Sequence, residues 1–120
     1  MGILGEKEGY LMKQYEDLLE KLTEGLIRIF GKTAVSIILY GSAARGTQTA
    51  ESDIDIAVLQ VDHTPEMHDR MTDLIVELEL EYDVVLSVLL IDYNNYLEWK
   101  DTLPFYRNVR REGITLWQAA

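Results

Sequence analysis

Apolar residues recur at spacings of three and four through Leu11, Tyr15, Leu18, Leu22, Leu26 and Ile29, with Glu, Lys and Gln between them. That period predicts an amphipathic helix from about Glu8 to Phe30, with Gly31 as its stop. The pattern then changes. Val35 to Leu39 and Ile54 to Leu59 are short apolar runs of strand length, separated by a polar stretch. The stretch reads as a loop with one helical turn. Asp62-His63-Thr64-Pro65 is a break, with Thr64 as cap and Pro65 as first residue of a second helix. Met67, Met71, Leu74 and Leu78 give that helix its apolar stripe. From Val76 to Tyr82 apolar residues also alternate with Glu77, Glu79 and Glu81, which suits a strand; the helix-forming Glu and Leu favour helix to about Leu80.

Asp83 to Ile91 is the most apolar run of the chain and predicts a buried third strand. Asp92 is placed to cap a short helix holding Tyr96, Leu97 and Trp99. Pro104 opens another, with Phe105 and Val109 expected inward and Gly113 at its end. Ile114 to Trp117 adds a short edge strand. The order predicts an α/β (α+β) fold, a small mixed β-sheet of three to four strands packed with helices. There is no internal repeat, low-complexity tract or linker, and 120 residues suit a single domain over residues 1–120.

Composition narrows the function classes. Twenty-one acidic against 11 basic residues leave a formal net charge of -10. Such a surface repels a polyphosphate backbone, which argues against long nucleic acid as a partner. A nucleotide carrying its own divalent metal stays compatible, because the metal screens the phosphates. The absence of cysteine excludes disulfides, thiolate metal sites and cysteine nucleophiles. It is compatible with a reducing cytoplasm, the expected location, and no apolar run approaches the roughly 20 residues of a membrane span.

The candidate chemistry lies in the polar stretch Tyr40 to Ile56. Gly41 lacks a Cβ and lets a phosphate approach the backbone, Ser42 offers a hydroxyl, and Arg45 offers a forked donor. The Gly-Lys-Ser/Thr ending of a Walker A loop is missing. Asp53 and Asp55 open the second strand two residues apart, so both carboxylates project from one face while Ile54 and Ile56 take the other. Paired hard oxygen donors suit Mg²⁺ or Mn²⁺, and bound metal polarises a phosphoryl group for transfer. Asp83 is the third candidate: it precedes an apolar strand as Asp53 does, and would serve as metal ligand and general base. It also reads as an acidic end to the Glu-rich helix. Ser87, on Asp83's face, reads as cleft lining or as core. His63 and His68 lack ligand spacing and read as surface residues. Arg107, Arg110 and Arg111 suit either a helix C-terminus or a phosphate or partner contact, and Tyr93, Tyr96, Trp99, Phe105 and Tyr106 either core or a docking face.

Gly41-Ser42, ten further residues and then Asp53-x-Asp55 resembles the signature of nucleotidyltransferases related to DNA polymerase beta. Gly-Ser-Ala-Ala-Arg-Gly with Ser-Asp-Ile-Asp-Ile is similar to the minimal nucleotidyltransferases, and Pro104 to Val109 with Glu112-Gly113 resembles their tail. The resemblance implies a nucleotidyltransferase fold. It also implies a triphosphate held by Gly41 and Ser42 with help from Arg45, and metals on Asp53 and Asp55 with Asp83 as third carboxylate. Family antitoxins transfer AMP from ATP to a tyrosine of a HEPN-domain RNase, which implies ATP and a HEPN partner here. Two other outcomes stay open: a non-catalytic antitoxin acting by occlusion, and a small-molecule nucleotidyltransferase completed across a homodimer.

Overall fold

A computed structural model describes residues 6–46 and 53–120, with side chains from Tyr15 onward in the first helix. Helix α1 (Glu6–Phe30) leads through one 3-10 turn into strand β1 (Ala34–Tyr40), the five-residue helix α2 (Gly41–Arg45) and β2 (Ile54–Gln60). Helix α3 (Pro65–Tyr82), strand β3 (Leu86–Asp92), helices α4 (Tyr93–Trp99) and α5 (Pro104–Glu112), and β4 (Ile114–Gln118) complete the order. The four strands form one mixed sheet in the order β3-β2-β1-β4, with β1 antiparallel to both β2 and β4 and β2 parallel to β3. Among the described residues no helix is long and apolar enough to cross a membrane.

Strand alternation sorts the core onto two faces. Ile37, Leu39, Ile54, Ile56 and Val58 meet Leu18, Leu22 and Leu26 of α1 and Met71 and Leu78 of α3. The heptad-like stripe read from the sequence is therefore the buried seam, and Gly25 lets α1 approach Leu74 of α3 closely. On the opposite face Ile38, Ala57, Leu59 and Ile91 meet Tyr96 of α4 and Val109 of α5. The caps form as expected: Thr64 Oγ1 accepts the Met67 N–H at 3.1 Å, and Asp92 Oδ2 accepts the Asn95 N–H at 2.9 Å.

The third strand differs from expectation. Helix α3 runs to Tyr82, Asp83 turns the chain in the left-handed region (φ 53°), and Glu79 Oε2 accepts the Leu86 N–H at 2.9 Å. The strand thus starts at Leu86 rather than Asp83. It is an outer strand with one face uncovered, so its burial alternates instead of being continuous. Phe105, expected inward, is likewise partly exposed, as are Leu97 and Trp99, because the two short helices cover only the centre of their face.

Candidate active site

The site forms where β1 ends and β2 begins. Antiparallel pairing sets Tyr40 level with Asp55. The next residue, Gly41, turns the chain at φ +72°, a region favouring glycine, and starts α2. A Cβ placed on Gly41 would overlap Asp55 Oδ2. The glycine is needed twice over, for its backbone conformation and for the carboxylate packed against it. Helix α2 closes at Gly46, also left-handed at φ +74°. Residues 47–52 lie outside the described structure.

Asp53 is exposed and Asp55 half-buried on the same face of β2. Burial pushes the Asp55 carboxyl above its ordinary range, the neighbouring Asp53 charge adds to that, and Arg45 opposes both. Arg45 is half-exposed, and its Nη1 lies 3.3 Å from Glu112 Oε2 at the end of α5. The other end of α5 reaches the same place: the Phe105 ring meets Tyr40 edge-on, with centroids 5.6 Å apart and planes at 90°. Burial first and Asp55 second hold the Tyr40 phenol above its usual range. Gly41, Ser42, Arg45, Asp53 and Asp55 therefore gather at one corner of the sheet.

Asp83 stands apart from that corner in register. Ser87 is the β3 residue level with Asp55, and Ile54 is level with Leu86, which places Asp83 in the turn ahead of the strand. Among the described residues no cluster of three or more His, Asp or Glu side chains is arranged to hold a metal. His63 and His68 are exposed, away from the pair in the break and early α3. Of the basic cluster, Arg110 pairs with Asp101, just ahead of α5, at 2.9 Å, and Arg111 lies 3.7 Å from Glu112 and donates to Asn108 Oδ1 at 3.3 Å. A cavity of about 210 Å³ lies under α4 and α5 beside Val35, Ser36 and Arg110, at the far end of β1, and none of the predicted site residues lines it.

A family described as polymerase beta, nucleotidyltransferase matches residues 12–119 of the chain. The chain belongs to this family. As a nucleotidyltransferase it has relatives of similar size. A Methanocaldococcus jannaschii protein named as a protein adenylyltransferase is 34% identical over 110 residues, covering 88% of this chain and 94% of its own. A chain of a toxin–antitoxin crystal structure with AMP-PNP is 25% identical and covers 84% of this chain and 73% of its own, with a TM-score of 0.57. A chain of the Shewanella oneidensis complex between a tri-AMPylated HEPN toxin and an MNT antitoxin shares the fold at 21% identity, covering 87% of this chain and 72% of that one, with a TM-score of 0.53.

Sequence reasoning gave no role to Tyr40, Glu112 or Phe105 in this nucleotidyltransferase site. Tyr40 carried a signal, since antiparallel pairing of the two apolar runs sets the residue before Gly41 opposite Asp55. Glu112 carried only its place in the family-like tail: it lies 67 residues from Arg45, and the packing of α5 on α2 joins them.

Proposed function

We propose that this nucleotidyltransferase is a divalent-metal-dependent protein adenylyltransferase that moves AMP from ATP to a tyrosine hydroxyl of a HEPN-domain partner, silencing it as an antitoxin. The observation that carries the reading is the packing of Asp55 against Gly41, which joins the carboxylate pair to the Gly41-Ser42 turn. The name of the M. jannaschii relative and the AMP-PNP in the toxin–antitoxin structure support the nucleotide and the setting.

The donor set fits Mg²⁺ or Mn²⁺. It is oxygen only, and a cation shared with Asp53 would offset both the burial and the Asp53 repulsion that raise the Asp55 carboxyl. When bound, such a metal neutralises charge that develops on the transferring phosphoryl group. Asp53 and Asp55 would hold it. Gly41, without a Cβ, lets Asp55 pack against the start of the turn, and Ser42 is the next residue of that turn. Arg45, steadied by Glu112, presents a guanidinium to phosphate oxygens. The Tyr40–Phe105 contact closes this flank and limits water beside Asp55. The proposal assigns Asp83 the turn into β3, and substitution there decides whether it also serves as third carboxylate.

The test is transfer of labelled AMP from ATP to a HEPN-domain protein with Mg²⁺, comparing wild type with Asp55→Asn. Label on the partner's tyrosine with wild type alone is expected. Partner neutralisation that persists in Asp55→Asn, without label in either, would replace transfer by occlusion.

A further inference from the structure

Asp53 and Asp55 have two flanks on the sheet face they share with α4 and α5. On the β1 flank, Tyr40 is level with Asp55 and lies against Phe105, and Arg45 is tied to Glu112, so α5 closes that side. On the β3 flank, Ser87 is level with Asp55 and Leu89 with Ala57. Val85, whose carbonyl accepts the Ile54 N–H, alternates onto the same face. Val85 is 54% exposed and Leu89 42%, whereas Ile91, the next residue of that face, is only 4% exposed against Tyr96 of α4. Strand β3 is the outer strand of the sheet. An uncovered apolar ledge thus runs beside the carboxylate pair.

The reaction supplies an occupant for that ledge. Nucleotidyl transfer forms a bond between the acceptor oxygen and the α-phosphorus while the bond to the leaving pyrophosphate breaks. The two oxygens lie roughly in line on opposite sides of the phosphorus. A triphosphate held by Gly41 to Arg45 has its leaving pyrophosphate along α2, past the end of β1, so the acceptor hydroxyl enters from the opposite side, over β3. Its proton leaves to the solvent around the exposed Asp53. We infer that Val85, Ser87 and Leu89 form the acceptor-docking ledge, receiving a protein segment whose acceptor hydroxyl is flanked by apolar residues on a basic surface. The basic character follows from the rim: Asp83 precedes β3, Asp92 ends it, and the chain carries a net charge of -10. A second copy of this chain would bring the same acidic rim against itself. This inference deepens the proposed function and rests on its placement of the triphosphate.

The test uses the paired variant Val85→Thr/Leu89→Thr, which keeps strand-forming side chains and removes apolar surface. A second pair, Val85→Lys/Leu89→Lys, places charges that outer strands tolerate. Each is compared with wild type for binding of a fluorescent ATP analogue, for the KM of a HEPN-domain acceptor in AMP transfer, and for mass in solution. Unchanged analogue binding with an acceptor KM raised about tenfold is expected for the Thr pair, with a larger rise for the Lys pair. An unchanged acceptor KM in both pairs, with transfer intact, overturns the ledge and leaves the nucleotide reading standing. A wild-type dimer that either pair dissociates, again without change in KM, assigns the ledge to self-association and also overturns it. Loss of analogue binding in Asp55→Asn but not in the ledge variants keeps the two readings apart; a wild type that neither binds the analogue nor labels the acceptor overturns both.

Discussion

Gly41→Ala separates the two demands placed on that glycine. Its φ of +72° is left-handed, where a Cβ crowds the following carbonyl at roughly 1–2 kcal/mol. Gly46 has nearly the same φ, +74°, but a Cβ built there meets nothing within 4 Å. Gly31, at φ +53° beyond α1, also faces open space. All three alanine variants should therefore lose about 1–2 kcal/mol, or roughly 3–10 °C in melting temperature for a chain of this size. Only at Gly41 does the added methyl overlap the Asp55 carboxylate, which must shift by on the order of 1 Å. A misplacement of that size in a reacting geometry costs on the order of a hundredfold in rate. Melting curves and AMP-transfer rates measured on all three variants make the comparison. Similar melting losses are expected throughout, with a rate loss of about a hundredfold at Gly41 and within about threefold at Gly46 and Gly31. Equal rate losses at Gly41 and Gly46 would refute the reasoning, because strain alone would then account for both.

Asp55→Asn should abolish transfer yet raise the melting temperature in metal-free buffer at neutral pH. The folded Asp55 carboxyl is held above its ordinary value of 3.8, so stability is lost as pH rises from that value through the folded one. The variant's advantage should therefore shrink as pH is lowered towards 3.8, and melting curves across that range check the sign. Asp83→Gly relieves a left-handed residue at the end of α3 and should stabilise by up to about 1 kcal/mol in denaturant titration. Asp83→Asn should keep transfer within about threefold; a loss matching that of Asp55→Asn would make Asp83 the third carboxylate. At Gly113 a Cβ would overlap the Val109 carbonyl and Ile38 Cγ2, so Gly113→Ala should cost about 1–3 kcal/mol and shift α5, read as a lower denaturation midpoint.

Local signals determined much of this protein. The spacing of Leu18, Leu22 and Leu26 sufficed for α1, because a helix of this length has to bury one stripe. Thr64-Pro65 and Asp92 marked helix starts, since capping uses only residues a few positions away. The Gly41-Ser42 and Asp53-x-Asp55 pattern pointed to one corner because antiparallel pairing sets the end of β1 beside the start of β2. Other features depended on contacts that no local pattern encodes. Asp83 to Ile91 read as a buried strand because apolar content does not say how many faces are covered; the outer place of β3 left Val85 and Leu89 exposed. Asp83 read as a strand residue because helix α3 and Glu79, which together delay the strand to Leu86, act across the turn. The partnership of Arg45 with Glu112, and of Tyr40 with Phe105, arises only when α5 folds back onto the start of α2. The sequence alone therefore determined most of the helices and strands and which residues meet at the Gly41–Asp55 corner. The tertiary structure decided which flank of that corner is closed and which is open, because strand order and helix placement depend on burial summed over the whole chain.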